Sequence, residues 1–173
     1  MYDCKVIRVK IYFDFCSYNN DGIGVFMKKI KHVGTYGILI KENKILLIKK
    51  KGGPYDGKLD LPGGTIEFEE SIETALKREL LEEVGIEALE YNLFDVISTN
   101  VKWNYKGDLI ETKHIAILYK ISEFKNEIKR EIEITEINDD SMGADYFDIL
   151  RLKRTELSNI CVLALEKLGY KIP

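Results

Sequence analysis

Three glutamates, Glu79, Glu82 and Glu83, are spaced i, i+3 and i+4, so on a helix their carboxylates share one face. Like charges at this spacing destabilise a helix by about 0.2–0.5 kcal/mol per pair. Of the three, only Glu82 has a basic residue one turn away, Arg78. Glu82 and Glu83 also sit in the last turn before Gly85, where the helix dipole disfavours negative charge. A solvated acidic face is the ordinary reading of a glutamate-rich helix, but a helix shaped only for stability would carry lysine there. A bound divalent cation removes both objections, since hard cations such as magnesium take carboxylate oxygens.

Two glycines supply a second element. Gly63 and Gly64 follow Pro62 and precede a short apolar segment and the helix. Glycine permits positive φ and lets the backbone approach a ligand or metal closely. Pro-Gly-Gly alone describes many tight turns; beside the acidic helix it forms a specific constellation. Leu76, Leu80 and Val84 make the apolar stripe that docks this helix.

From Gly64 the chain runs five residues to Glu70, seven more, then Arg78-Glu79-Leu80-Leu81-Glu82-Glu83-Val84-Gly85-Ile86. This resembles the Nudix box, Gx5Ex7REUxEExGU with U aliphatic, at every defined position over 64–86. The resemblance implies an α/β fold, an α/β/α sandwich with a mixed β-sheet, reaching from about His32 to the C-terminus. It implies a magnesium cofactor, with manganese as a substitute, held by Glu79, Glu82, Glu83 and a backbone carbonyl of the glycine pair, here assigned to Gly64. It pairs Glu70 with Arg78, tying the glycine loop to the helix. The implied reaction is attack of water at phosphorus on a diphosphate linkage, with Arg78, Glu79, Glu82 and Glu70 as the catalytic set. Glu79 is the first choice of base; Glu82 or a loop acid between Glu123 and Asp140 stays open. One departure is Glu69, where the family commonly has glycine, and it leaves the number of metals open.

Other residues are weaker candidates. Lys49, Lys50 and Lys51 end a strand near the glycine loop; Lys51, with Gly63, is taken as a substrate contact, against a solvated strand end. Trp103 and Tyr105 fall at a hairpin tip and could stack on a base. His114 reads as a strand residue without catalytic duty, and Tyr146 and Phe147 as core anchors.

Several elements must position these residues. Alternation over Val6–Phe15 predicts a strand, and Ser17–Gly24 a turn. A hairpin is expected from Gly34–Ile40 through Lys41–Lys44 into Ile45–Lys51, followed by a loop at Lys51–Lys58. The acidic helix spans Ser71 to about Val84. A second hairpin runs over Leu93–Trp103 and Leu109–Ile121, and a last helix over about Thr155–Leu168. The charged stretch Ser122–Gly143 has no clear assignment.

With 173 residues, 45% hydrophobic and 32% charged, the chain fits one domain, 1–173, with residues 1–31 as an N-terminal strand extension. A net charge of -3 argues against a long nucleic acid and leaves a small nucleotide as partner, with a homodimer left open. No apolar run suits a membrane span. Three scattered cysteines and no signal peptide suggest the cytoplasm. The rival to a hydrolase is a catalytically silent nucleotide-binding or regulatory module; such modules usually lose box acids, and this chain keeps them all.

Overall fold

The computed structural model describes residues 12–18, 24–129 and 141–173, with side chains from 27 to 129 and from 143 onward. Nine strands and two α-helices follow in the order β1 (Tyr12–Tyr18), β2 (Gly24–Ile38), β3 (Ile40–Lys41), β4 (Lys44–Lys50), β5 (Leu59–Asp60), β6 (Gly63–Thr65), α1 (Ile72–Val84), β7 (Glu87–Tyr105), β8 (Asp108–Lys125), β9 (Ser141–Asp148) and α2 (Asn159–Lys167) among the described residues.

One sheet has the order β1-β2-β8-β7, with β6 also paired to β2; the other has β3-β4-β5, with β9 on β4. The first sheet is mixed, because β2 and β8 run parallel while the other pairs are antiparallel. Alternating side chains send each strand's residues to opposite layers. On β4, Ile45 and Leu47 join a cluster with Ile160, Cys161, Ala164 and Leu165 of α2, whereas Leu46 and Ile48 join Leu76, Leu80 and Val84 of α1. A strand buried on both faces lies between helices, which gives the expected α/β/α layering.

The first expected hairpin is redrawn. The 34–40 segment belongs mostly to β2, which runs unbroken across residue 31 within the first sheet, and only Ile40–Lys41 pairs with β4 in the second. Glu42 and Asn43 turn that hairpin with φ of 51° and 63°, the left-handed pair that a two-residue hairpin turn requires. The second hairpin is longer than expected, β7 and β8 together spanning Glu87–Lys125 around a turn at Lys106 and Gly107. Its alternation was interrupted by bulges near Ala88–Tyr91 and Leu93–Asp95, which hide strand from a period-two reading. Helix α2 starts later than Thr155, because Ser158 is its N-cap and Arg154–Glu156 forms a separate 3-10 turn. The strand predicted at Val6–Phe15 is observed from Tyr12, its earlier part lying outside the described residues, as do 19–23 of the expected turn and 130–140 of the charged stretch.

Candidate active site

Helix α1 begins where the Ser71 hydroxyl accepts the Thr74 N–H, and it stops at Gly85, whose φ of 76° only glycine adopts without strain. Leu76, Leu80 and Val84 are fully buried. Burying that stripe turns Glu79 and Glu83 inward, at 9% and 6% exposed, against β6, while Glu82 stays exposed.

Strand β6 begins with the glycine pair, hydrogen-bonded to β2 with Tyr36 opposite Gly63 and Thr35 opposite Gly64. Gly63 has φ 139°, and a Cβ there would lie 2.2 Å from the Thr35 carbonyl oxygen. A Cβ on Gly64 would lie 2.6 Å from Glu79 Oε1. Gly63 is therefore required by its φ and by the close approach of β2 backbone, whereas a side chain on Gly64 would displace the Glu79 carboxylate. The Gly63 N–H donates to Glu83 Oε2 at 2.7 Å.

Arg78 is the hub of the opposite side. Its Nε and Nη2 donate to the two oxygens of Glu70 at 3.1 and 2.6 Å, and Nη2 also donates to the Thr65 carbonyl at 3.0 Å. Its Nη1 reaches Glu79 Oε1 at 2.8 Å and Glu82 Oε2 at 3.2 Å. The two-pronged geometry suits a guanidinium and excludes lysine. It joins the end of β6, the loop before α1 and the helix in one contact set.

The acids are more evenly matched with cations than their local spacing suggests. Arg78 serves Glu79 as well as Glu82, and Lys50 Nζ lies 3.4 Å from Glu83 Oε1. Lys50, not Lys51, is the strand-end lysine that turns toward the acids: on an extended chain neighbours face opposite ways, and Lys49 and Lys51 are exposed. Glu69 is exposed in the turn before the helix.

The electrostatics mark the buried pair. Burial pushes the Glu83 carboxyl up to about 7, opposed by Lys50 and the Gly63 N–H and reinforced by Glu79. Burial likewise raises Glu79, with Arg78 opposing. The hydrogen bonds from Arg78 hold Glu70 below the usual carboxylate range. Two carboxylates whose charged forms burial disfavours make a donor set that a divalent cation would satisfy. Among the described residues no three such side chains already converge on one point, because Arg78, Lys50 and the Gly63 N–H occupy the carboxylate oxygens. The donor chemistry and the Cβ-free cradle at Gly64 fit the cation; Glu79, Glu82, Glu83 and the Gly64 carbonyl are the groups that would hold it.

Of the remaining candidates, Trp103 donates its indole N–H to Thr112 at 3.0 Å, beside a half-exposed Tyr105. Tyr146 and Phe147 pack half-buried against the two core clusters. Glu123 is exposed, and the loop acids at 130–140 lie outside the described residues. His114 is buried in a hydrogen-bonded group with Tyr36 and Tyr55, which no local pattern announced.

Comparison with known proteins gives a consistent result. The model of the NUDIX domain matches residues 30–160. An ADP-ribose pyrophosphatase of Methanocaldococcus jannaschii is 34% identical over 122 residues, which cover 70% of this chain and 64% of that protein. The chain thus spans less than two thirds of that relative's length. An 8-oxo-dGTP diphosphatase of Proteus vulgaris is 29% identical over 103 residues, 58% of this chain and 84% of the relative. The crystal structure of a MutT NUDIX hydrolase from Burkholderia pseudomallei superimposes with a TM-score of 0.64 at 28% identity, over 80% of this chain and 98% of the other.

Proposed function

This chain belongs to the Nudix hydrolase family, and from that premise we propose that it hydrolyses a diphosphate linkage in a small nucleotide derivative, with magnesium as cofactor. The observation that carries the proposal is the contact of β6 with α1: the Gly63 N–H on Glu83 and the bare Cα of Gly64 against Glu79. Two buried acids turned onto a glycine strand have no use in a merely stable helix–strand packing.

Magnesium bound there would neutralise the diphosphate oxygens and make the attacking water more acidic. The protein's own groups do the rest. Glu79 accepts the water's proton at Oε2, since Arg78 binds Oε1, and a carboxylate raised by burial is a stronger base than an exposed one. Arg78 holds Glu70, the Thr65 carbonyl, Glu79 and Glu82 in a fixed relation, so that water and phosphorus meet in line. Lys50 offers positive charge to Glu83, and would offer it to a phosphate oxygen were that carboxylate engaged by a bound cation. The water oxygen bonds to one phosphorus and the other phosphate leaves with the bridging oxygen.

ADP-ribose is the first substrate to test, because the relative matched over most of this chain bears that activity in its name; 8-oxo-dGTP is the second. A cytoplasmic setting belongs to the same proposal, and no helix among the described residues is long and apolar enough to cross a membrane. The test is incubation with ADP-ribose, 8-oxo-dGTP and ordinary nucleoside triphosphates in magnesium, with products separated by charge. The expected products of ADP-ribose are AMP and ribose 5-phosphate. A chain that leaves every diphosphate intact is the silent binding module instead.

A further inference from the structure

The loop at residues 51–58 leaves and rejoins the sheet at one point, where Lys50 N–H donates to the Lys58 carbonyl at 2.8 Å and Gly57 N–H to the Lys50 carbonyl at 2.9 Å. Its three glycines face open space: at Gly52, Gly53 and Gly57, all with positive φ, a Cβ would meet nothing within 4 Å. Tyr55 is the exception, at 5% exposed. Its ring centroid lies 5.8 Å from that of His114, and its hydroxyl 3.4 Å from His114 Nδ1.

His114 continues the connection inward. Its Nε2 lies 2.7 Å from the Tyr36 hydroxyl, which lies 3.1 Å from His32 Nε2. The parallel register of β2 and β8 sets His32 beside His114. Gly34 makes room for the Tyr36 ring, since a Cβ there would come within 2.8 Å of its hydroxyl. Tyr36 in turn pairs with Gly63, whose N–H holds Glu83. The loop is therefore fastened to the acids twice, at its base through Lys50 and Glu83, and at its tip through Tyr55, His114, Tyr36 and Gly63.

A neutral imidazole has one donor and one acceptor. Burial pushes His114 down to about 3, so the ring is neutral and its two bonds are linked. If Tyr36 donates to Nε2, the Nδ1–H is left for Tyr55; in the other tautomer both bonds reverse. A change at Tyr55 is thus felt at Tyr36. Nothing in the cutting of a diphosphate by the α1 acids calls for this group, and a strand needing only stability would hold apolar residues here.

We propose that His114 is a positioning residue for substrate binding, which, between Tyr36 and Tyr55, fixes the 51–58 loop beside the acid site so that the loop grips the nucleoside side of the substrate. The inference rests on the hydrolase reading of the site, and its test separates the two. The single tryptophan, Trp103, bonds to Thr112 two residues before His114, so its fluorescence can follow binding of AMP.

The experiment compares wild type, Tyr55→Phe, His114→Phe and the double variant for three quantities: KM and kcat on ADP-ribose, the Kd of AMP, and Tm. Tyr55→Phe keeps the ring and deletes one hydroxyl, so it stays informative if His114→Phe folds poorly. Each single variant is expected to raise KM and the AMP Kd about tenfold, the scale of one lost buried hydrogen bond, with kcat within about twofold. The double variant is expected to be no more than about twofold worse than either single one. A KM and AMP Kd unchanged in Tyr55→Phe, with or without a lower Tm, overturns the inference, as does a fall in kcat at constant KM. If wild type cleaves no ADP-ribose, the hydrolase reading on that substrate fails, and the AMP titration alone decides this inference, an unaltered or absent AMP affinity overturning it.

Discussion

Helices α1 and α2 start with the same device, a serine hydroxyl that accepts a backbone N–H, Thr74 onto Ser71 and Cys161 onto Ser158, and diverge from there. Helix α2 buries Ile160, Cys161, Val162, Ala164 and Leu165 and ends with Lys167 in its last turn, as the helix dipole favours. Lys167 also meets Asp95 at 2.9 Å. Helix α1 buries an apolar stripe of the same kind but turns Glu79 and Glu83 inward beside it, and it has no basic residue in its last turn. The two helices pack on opposite faces of the same strands, so their surroundings do not explain the difference. What differs is the neighbour at the buried acids, the glycine strand β6, where the bare Cα of Gly64 leaves room for the Glu79 carboxylate and the Gly63 N–H donates to Glu83. One helix is arranged for stability; on the proposed reading the other gives stability up for the cation site.

The contrast is broken most sharply at Glu83. Glu83→Gln keeps the shape of the side chain and removes its charge; hydrolysis is expected to fall by at least about a hundredfold while the far-ultraviolet spectrum stays native. Steady-state kinetics in saturating magnesium checks this, and full turnover would remove Glu83 from the site.

Arg78→Ala and Glu70→Gln come next. Each should lower kcat on the order of a hundredfold by displacing the glycine strand relative to the helix, since about 1 Å of misplacement has that effect. Because the two residues share one bidentate contact, the double variant should be scarcely slower than either single one. Additive losses in rates measured for all three would mean that Arg78 and Glu70 act separately.

On the other helix the expected response is reversed. Leu165 is fully buried, and Leu165→Ala should lower stability by about 2–5 kcal/mol while leaving kcat per folded molecule unchanged. Urea unfolding together with active-site titration checks both halves.

A smaller effect follows from the raised Glu83 carboxyl, at about 7 against an ordinary 4.5. Between those values the folded protein holds a proton that the unfolded chain has released. Stability without metal therefore carries a favourable contribution below about pH 4.5 that is lost as pH rises through about 7. Glu83→Gln lacks it, so its stability relative to wild type should climb across that window by up to about 3 kcal/mol. Parallel denaturation curves at pH 5 and pH 7.5 in chelator measure the difference, and an equal gap at both pH values would contradict the assigned environment.

How much of this was legible in the chain depends on distance along it. The box from Gly64 to Ile86, the Ser71 cap and the Gly85 stop are local patterns, and the structure forms them where the spacing places them. The contact of Lys50 with Glu83 joins residues 33 positions apart and that of Tyr36 with His114 joins residues 78 apart, with no local signature. Lys51 stood out in the sequence as much as Lys50 did; only the strand register tells which of them faces the acids. The placement of β2 in a different sheet from β3 and β4 was likewise hidden, because a continuous apolar run across Ile38–Ile40 carries no mark where one sheet ends. Asp60 is the same kind of case. It is buried, pushed up to about 6 by burial, and bonded to Ser158 at 2.5 Å across 98 residues, and only the tertiary fold shows that the two meet.

The central claim is that the buried acids of α1 are a cation site, and thermal unfolding at pH 7 with and without magnesium tests it without any substrate. Wild type is expected to gain about 2.7 kcal/mol at magnesium a hundredfold above its Kd, seen as a clear rise in Tm. Glu83→Gln should start more stable in chelator and gain little from the cation. An absent shift in wild type, or an equal shift in both proteins, would contradict the account.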